Sequence, residues 1–94
     1  MKISKDLWCK GLDEYFRVVD TSKFDSGHLD DLIFEPAVLL SAIMDSFSIG
    51  VRCVCDGKWV ASCWYGDIGE GSNHWEAIFR GFISVCEYIE DASK

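Results

Sequence analysis

The sequence has few of the residues that catalysis or nucleic-acid binding would need. Among 94 residues there are two histidines and nine lysines or arginines. Sixteen aspartates and glutamates bring the formal net charge to −7, and a charge of this sign repels phosphate backbones and anionic membranes. We therefore expect no direct binding of nucleic acid or membranes, whereas a partner protein with a basic surface would be attracted.

Long apolar runs are also missing. No stretch approaches the ~18 apolar residues of a membrane span, and the opening MKISKDLWCKGL has no apolar core followed by a cleavage site, as a secretory signal would. We expect the protein to stay in the cytoplasm. The length suits a single domain over residues 1–94, and 49% of the residues are hydrophobic, enough for one core.

The cysteines are odd in number and fall within apolar patterns. In a chain with no export signal, this predicts reduced and mostly buried thiols, with Cys9 and Cys86 on the packing faces of helices. Cys53 and Cys55 share one strand face, but a structural zinc site takes four ligands and Cys63 points to the other face. We expect no metal and no cofactor.

Three segments have helical periodicity. They are residues 4–19, 36–47 and 74–90. Ser4 suits the N-cap of the first, whose packing face includes Gly11. Pro36, the one proline, suits the first turn of the second helix. Asn73 and Glu76 form a near-capping-box start for the third.

A β-hairpin is the strongest local prediction. Asp56-Gly57 lies between two apolar runs, and this pair favours a two-residue type I′ turn, which needs positive φ at both positions. The strands are predicted over residues 49–55 and 58–65. A two-residue turn places Cys53 opposite Val60.

This register assigns each side chain to one of two sheet faces. Helices are expected to cover the face that carries Ile49, Val51, Cys53, Val60 and Trp64. The second face then presents Arg52, Trp59 and Tyr65, a composition that protein interfaces favour. Either another helix covers it, or it is a homodimer or partner surface.

Two connections complete the predicted fold. Residues 20–35 read as a long acidic connection, and residues 66–73 as a glycine-rich loop. The fold class is therefore α+β: a small antiparallel hairpin sheet packed with three helices, in the order α-α-β-β-α.

No arrangement of residues indicates an enzyme. Nucleophilic catalysis needs a thiol or hydroxyl beside a general base, and the histidines are His28 in the acidic connection and His74 at a helix start. The spacing of His74 from Ser72 does not favour a site. We expect His74 to be an exposed first-turn residue, and we expect no catalytic residues.

The acidic residues form the candidate partner-binding surface, although such runs are also typical of a solvated face. They cluster in the connection and near the end of the last helix. The candidates are Asp20, Asp25, Asp30, Asp31, Glu35, Glu87, Glu90 and Asp91.

Four segments resemble a known family when taken in order. They are DLWCKGLDEYFRVVD, FEPAVLLSAIMDSFSI, GKWVAS and HWEAIFRGFISVCEYI. Together they resemble the phage ABA-sandwich family of small bacteriophage and prophage accessory proteins, which includes the NinX-like proteins. The chain departs from the family where His74 and Trp75 replace a proline before the last helix, and it lacks a tryptophan before the second helix. The resemblance implies helices on a small antiparallel sheet, a phage origin and no catalytic residues.

These observations lead to two functional expectations. The first is a phage-type accessory protein in the cytoplasm of a bacterial host, which inhibits a host protein by covering a basic nucleic-acid-binding groove as a nucleic-acid mimic. An anti-CRISPR-like inhibitor of a CRISPR–Cas subunit is the concrete version. The alternative is a homo-oligomeric module that sequesters a small ligand beside Trp59, Tyr65 and residues 66–73. A phosphate ligand would require Arg52, Lys58 and Arg80 to converge.

Overall fold

The computed structural model describes residues 3–92 and has the predicted α+β class. The elements, in chain order, are α1 (Lys5–Val18), α2 (Ser26–Phe34), α3 (Pro36–Phe47), β1 (Gly50–Cys55), β2 (Lys58–Cys63), β3 (Gly66–Gly71) and α4 (His74–Ala92). The strands form one antiparallel sheet in the order β1-β2-β3. The predicted helices and hairpin are confirmed, and α2 and β3 are additional.

The helix starts use the capping residues that the sequence indicated. The Leu7 N–H donates to Ser4 Oγ at 3.2 Å, and Pro36 is the first residue of α3. At the start of α4, the Glu76 N–H donates to Asn73 Oδ1 at 3.0 Å. These bonds satisfy backbone donors that have no partner inside the helix.

Part of the predicted acidic connection is a helix. Asp25 is the N-cap of α2, and its side chain accepts a hydrogen bond from the His28 N–H at 2.7 Å. Leu32 on this helix is fully buried, and α2 packs against α3. The segment was predicted as a loop because nine residues give too few turns for a clear helical period.

The predicted glycine-rich loop is mostly strand β3. Its glycines let the strand approach the backbone of α4, because a Cβ on Gly69 would lie 2.5 Å from the Gly81 nitrogen. Gly71 meets the α4 backbone in the same way. Glycine usually weakens a strand, and this close approach explains its presence here.

The hairpin register departs from the prediction one residue beyond the turn. Cys55 pairs with Lys58 as predicted, but Cys53 pairs with Trp59 rather than Val60, so Val54 is an extra residue in β1. Of the two turn residues, Gly57 alone has a positive φ, at 75°, and the turn is therefore not type I′. Without a positive φ at Asp56 the turn is not type II′ either. Types I′ and II′ are the two-residue turns that match the twist of paired strands, and the bulge at Val54 increases the twist locally.

The shift in register exchanges the sheet faces of β2. Ala61 is fully buried in the core, and Trp59 packs against the same core, so the prediction that Trp59 shares a face with Arg52 is wrong. Val60 lies opposite Arg52 on the outer face. A shift of one residue sends every side chain of a strand to the other face.

The outer sheet face is polar. Arg52 donates from both terminal nitrogens to the two carboxylate oxygens of Asp67, at 3.1 Å each. Val60 lies on this face but is buried, with only 7% of its surface exposed. The long side chains of Lys58, Arg52 and Glu70 flank it in the sheet. This face therefore does not need a homodimer partner to bury its valine.

Helices α1 and α4 run in the same direction. The residue pairs that join them are Gly11 with Phe79, Tyr15 with Phe82, and Arg17 with Glu90. Residue numbers rise together along both helices, so their C-terminal ends lie at the same end of the molecule. Gly11 lies on the packing face as predicted, since any side chain there would overlap the Phe79 ring.

The five cysteines are free thiols, but the prediction that most are buried is wrong. Cys9, Cys53 and Cys55 are exposed, Cys63 is half-buried and Cys86 is buried. Cys9 points to solvent from α1, and β1 is an edge strand. Within residues 3–92, no three potential metal ligands are grouped. In the same range, no helix combines the length and apolar character that crossing a bilayer requires.

Candidate protein-binding surface

The three predicted interface residues lie in different places. Arg52 is on the outer sheet face, whereas the Trp59 ring is 5.7 Å from His74 and the Tyr65 ring is 5.0 Å from Tyr88. His74 and Tyr88 are fourteen residues apart on α4, a separation of roughly 21 Å. His74 is also half-buried rather than exposed. The single predicted aromatic face therefore does not form.

A different aromatic group is exposed at the C-terminal end of α4. We call Trp64, Tyr65 and Tyr88 the Trp64 cluster. Their ring centroids are separated by 4.7 Å (Trp64 to Tyr65), 5.0 Å (Tyr65 to Tyr88) and 6.5 Å (Trp64 to Tyr88). The three residues are 71%, 41% and 51% exposed, respectively. Tryptophan and tyrosine are enriched at protein interfaces.

Backbone geometry assembles this cluster. Trp64 and Tyr65 are the two residues between β2 and β3, and Gly66 follows with a φ of 131°. The contact between β3 and α4 then brings the turn to Tyr88. The prediction that Trp64 lies on the helix-covered face is wrong, because β2 ends at Cys63 and Trp64 lies in the turn that follows. Gly66 directly after Trp64-Tyr65 was the available signal for a turn.

Tyr65 is the least exposed member of the cluster. Partial burial raises the pKa of its phenol, and the neighbouring Cys63 thiol raises this pKa further. The hydroxyl therefore stays protonated at neutral pH and keeps a hydrogen-bond donor.

Three of the predicted acidic residues lie on the last turns of α4. Glu87, Glu90 and Asp91 are all exposed, and Glu90 is 3.5 Å from Arg17. The last turn of α4 has no basic residue. Negative charge is unfavourable at a helix C-terminus, where the backbone carbonyls point outward. These acids therefore lie where they do not favour the stability of the helix.

The remaining predicted acids lie in or around α2, and two of them have local structural roles. Asp25 is the N-cap of α2. Asp20 accepts a hydrogen bond from the Ser22 N–H at 3.0 Å, and this contact with Ser22 lowers the pKa of Asp20. The others, Asp30, Asp31 and Glu35, are exposed.

A shallow depression of about 360 Å³ lies beside the start of α4. Lys58 and Arg80 both line it, but Lys58 pairs with Glu70 at 3.7 Å and Arg80 with Glu76 at 4.0 Å. Its two cations are thus balanced by two carboxylates. Arg52, the third cation that a phosphate site would require, pairs instead with Asp67 on the outer sheet face.

Glu76 already occupies the anion position at this helix start. Its carboxylate accepts hydrogen bonds from the Ser72 N–H at 3.3 Å and from Ser72 Oγ at 3.0 Å. The hydrogen bonds from Ser72 lower the pKa of Glu76. A phosphate group would have to displace this carboxylate, so the geometry does not favour the ligand-binding alternative.

Comparison of the chain with models of protein families, with curated proteins and with solved structures finds no match. The resemblance to phage accessory proteins therefore stays a prediction.

Proposed function

We propose that this protein binds a partner protein through the C-terminal end of α4 and inhibits it by covering a basic, nucleic-acid-binding surface. The observation that carries the proposal is the exposed Trp64 cluster beside the acidic residues of α4. The phage origin that the sequence resemblance implies and the expected counter-defence role belong to this proposal, with a CRISPR–Cas subunit as the concrete candidate partner.

The aromatic part of this surface supports protein binding. Tryptophan and tyrosine are the residues most enriched among those that dominate binding energy. Their rings contribute large contact areas, and they lose little conformational entropy on binding because each side chain has only a few rotatable bonds. Trp64 exposes 71% of its surface although it contacts two other rings. A partner could bury this ring without rearranging the core.

The charge of the surface supports a basic partner. Acidic residues on the last turns of α4 oppose the helix dipole, yet Glu87 and Asp91 have no ion-pair partner among residues 3–92. A basic surface would supply that partner and would compensate the unfavourable position. A net charge of −7 adds long-range attraction to the same kind of surface.

A capture experiment with matched variants tests the proposal. The immobilised protein is incubated with bacterial lysate, and recovered proteins are quantified by mass spectrometry for wild type, Trp64→Ala/Tyr88→Ala and Phe34→Ala. Phe34 is 70% exposed and lies on α2, so its substitution controls for the loss of an exposed aromatic ring elsewhere. We expect partners that wild type and Phe34→Ala recover and the double variant does not.

The inhibitory step is tested on the recovered partner. The purified partner should bind nucleic acid, and added wild-type protein should displace it, whereas the double variant should not. The proposal is overturned if the double variant recovers the same proteins as wild type. It is equally overturned if the partner keeps its nucleic acid at saturating inhibitor. Thermal unfolding of each variant establishes that it is folded.

A further inference from the structure

The ring geometry of the Trp64 cluster narrows the chemistry of the group that it can bind. The indole of Trp64 stands at 78° to the Tyr65 ring and at 70° to the Tyr88 ring. The two tyrosine rings are inclined by 35° to each other. The cluster therefore presents two aromatic walls at a steep angle, one formed by the Trp64 indole and the other by the two tyrosine rings. Because Trp64 is 71% exposed, at least one face of its indole is open to solvent.

Two exposed acidic residues are close to Tyr88 along α4. Asp91 is three residues beyond Tyr88 on α4 and hence on the same side of the helix. Glu87 directly precedes Tyr88 and is rotated by about 100° from it around the helix axis, so it adds negative charge to this end of α4 without facing the Tyr88 ring. A ligand group that lies flat on the rings would have a negative charge near its edge.

A planar cation meets both conditions, and other groups do not. An anion would be repelled by Glu87 and Asp91, and a purely apolar group would remove their solvation without supplying a charge. A lysine ammonium is compact and strongly hydrated, so it interacts with the carboxylates but stacks poorly. The arginine guanidinium is flat and weakly hydrated, stacks on aromatic faces and pairs with carboxylates in its own plane.

We infer that the Trp64 cluster binds an arginine side chain of the partner, with the guanidinium on the aromatic rings and its edge directed to Asp91. This inference rests on the proposed function and specifies the contact at the centre of the interface. It makes the interaction selective for arginine over lysine, which charge attraction alone would not do.

Two short peptides of equal length and charge, one with arginines and one with lysines, are the probes. Each is titrated into the full-length protein, and binding is followed by the NMR signal of the Trp64 indole N–H. Its assignment is taken from the signal that Trp64→Phe removes. We expect the arginine peptide to bind about two- to fivefold more tightly, the difference that an exposed cation–π contact supplies. The Trp64→Ala/Tyr88→Ala variant, followed by backbone amide signals, should lose this preference, and Phe34→Ala should keep it.

The outcomes separate this inference from the proposed function. Equal affinity for the two peptides overturns the arginine contact, while Trp64-dependent capture of a basic partner would still support the function. A preference for arginine that persists in the double variant also overturns it, because the rings would then not be the binding group. Binding of neither peptide, with partner capture intact, overturns it as well.

Discussion

At the scale of single residues, the cysteine thiols lie in two different environments. Burial raises the pKa of the Cys86 thiol to about 12, and the side chain is fully enclosed by the core. Cys53 and Cys55 instead lie exposed on the edge strand β1. Reactivity requires both access and a thiolate. The same residue type is therefore inert in the core and available at the edge.

Alkylation should distinguish these states. In folded protein at pH 8, iodoacetamide should modify Cys9, Cys53 and Cys55, while Cys86 stays unmodified until denaturant is added. Intact-mass and peptide mass spectrometry measure the modification at each site. Rapid modification of Cys86 in folded protein would contradict its burial against α1.

At the scale of elements, the contact between β3 and α4 depends on missing side chains. Gly69 and Gly81 face each other with backbone close to backbone. We expect Gly69→Ala to lower the free energy of unfolding by about 1–3 kcal/mol, because the added methyl group has no space. Urea unfolding followed by circular dichroism measures this change.

Gly50→Ala is the matched control for that experiment. A Cβ on Gly50 would meet no atom within 4 Å, so stability should change by less than about 0.5 kcal/mol. Equal effects of the two substitutions would contradict the assignment of the loss to the close contact between β3 and α4.

The start of α4 should make stability depend on pH. Hydrogen bonds from Ser72 lower the folded-state pKa of Glu76 below the ordinary value of 4.5. The resulting stabilisation is fully present above that value and is lost as the pH falls through the lowered folded-state pKa. Glu76→Gln should therefore reduce stability at pH 7 and have a smaller effect near pH 3. A difference from wild type that is the same at both pH values would contradict this assignment.

The elements differ in how far the sequence predicted them. Helices α1, α3 and α4 were predictable because each has several turns of apolar period and a residue that marks its start, a capping side chain in α1 and α4 and Pro36 in α3. The α+β class followed from them and from Asp56-Gly57. Strand β3 was not predictable, because glycines indicate a loop unless the approaching α4 backbone is known. The predicted strand register is wrong beyond Val54, because a bulge cannot be recognised from the alternation of residue types.

The candidate surface was predictable only in part. The acidic residues at the end of α4 were identified from charge, and Tyr65 from its type. The predicted second strand included Trp64 and placed it on the helix-covered face, whereas β2 ends at Cys63. Tyr88 lies outside the apolar face of its helix, so the helical period did not indicate it. Their contact joins a turn to Tyr88, which lies more than twenty positions later in the chain. Such a contact becomes visible when β3 is placed against α4.

At the scale of the whole molecule, two acidic regions can be compared directly. Two double variants change the net charge by the same amount at different places. One is Glu87→Lys/Asp91→Lys at the end of α4, and the other is Asp30→Lys/Asp31→Lys on α2. We expect the first variant to weaken partner binding by about tenfold or more and to reduce its salt dependence. Titration calorimetry at two salt concentrations measures both quantities. The α2 variant should have a smaller effect, and equal losses would show that net charge, and not a contact, sets the affinity.

The first variant should also be slightly more stable. Lysine at the C-terminal end of α4 favours the helix dipole where glutamate and aspartate oppose it, by a few tenths of a kcal/mol for each charge. Thermal unfolding should thus show a higher midpoint together with weaker binding. A lower midpoint would indicate that the acids contribute to folding and not to partner binding.

The shared direction of α1 and α4 gives the molecule an electrical polarity. Each helix has a partial negative charge of roughly half a unit at its C-terminus, and both C-termini lie at the end where Glu87, Glu90 and Asp91 are exposed. A positively charged body that drifts within a Debye length, roughly 10 Å at 0.1 M salt, experiences a torque as well as an attraction. For a positively charged partner, this polarity would favour an approach in which the Trp64 cluster makes the first contact.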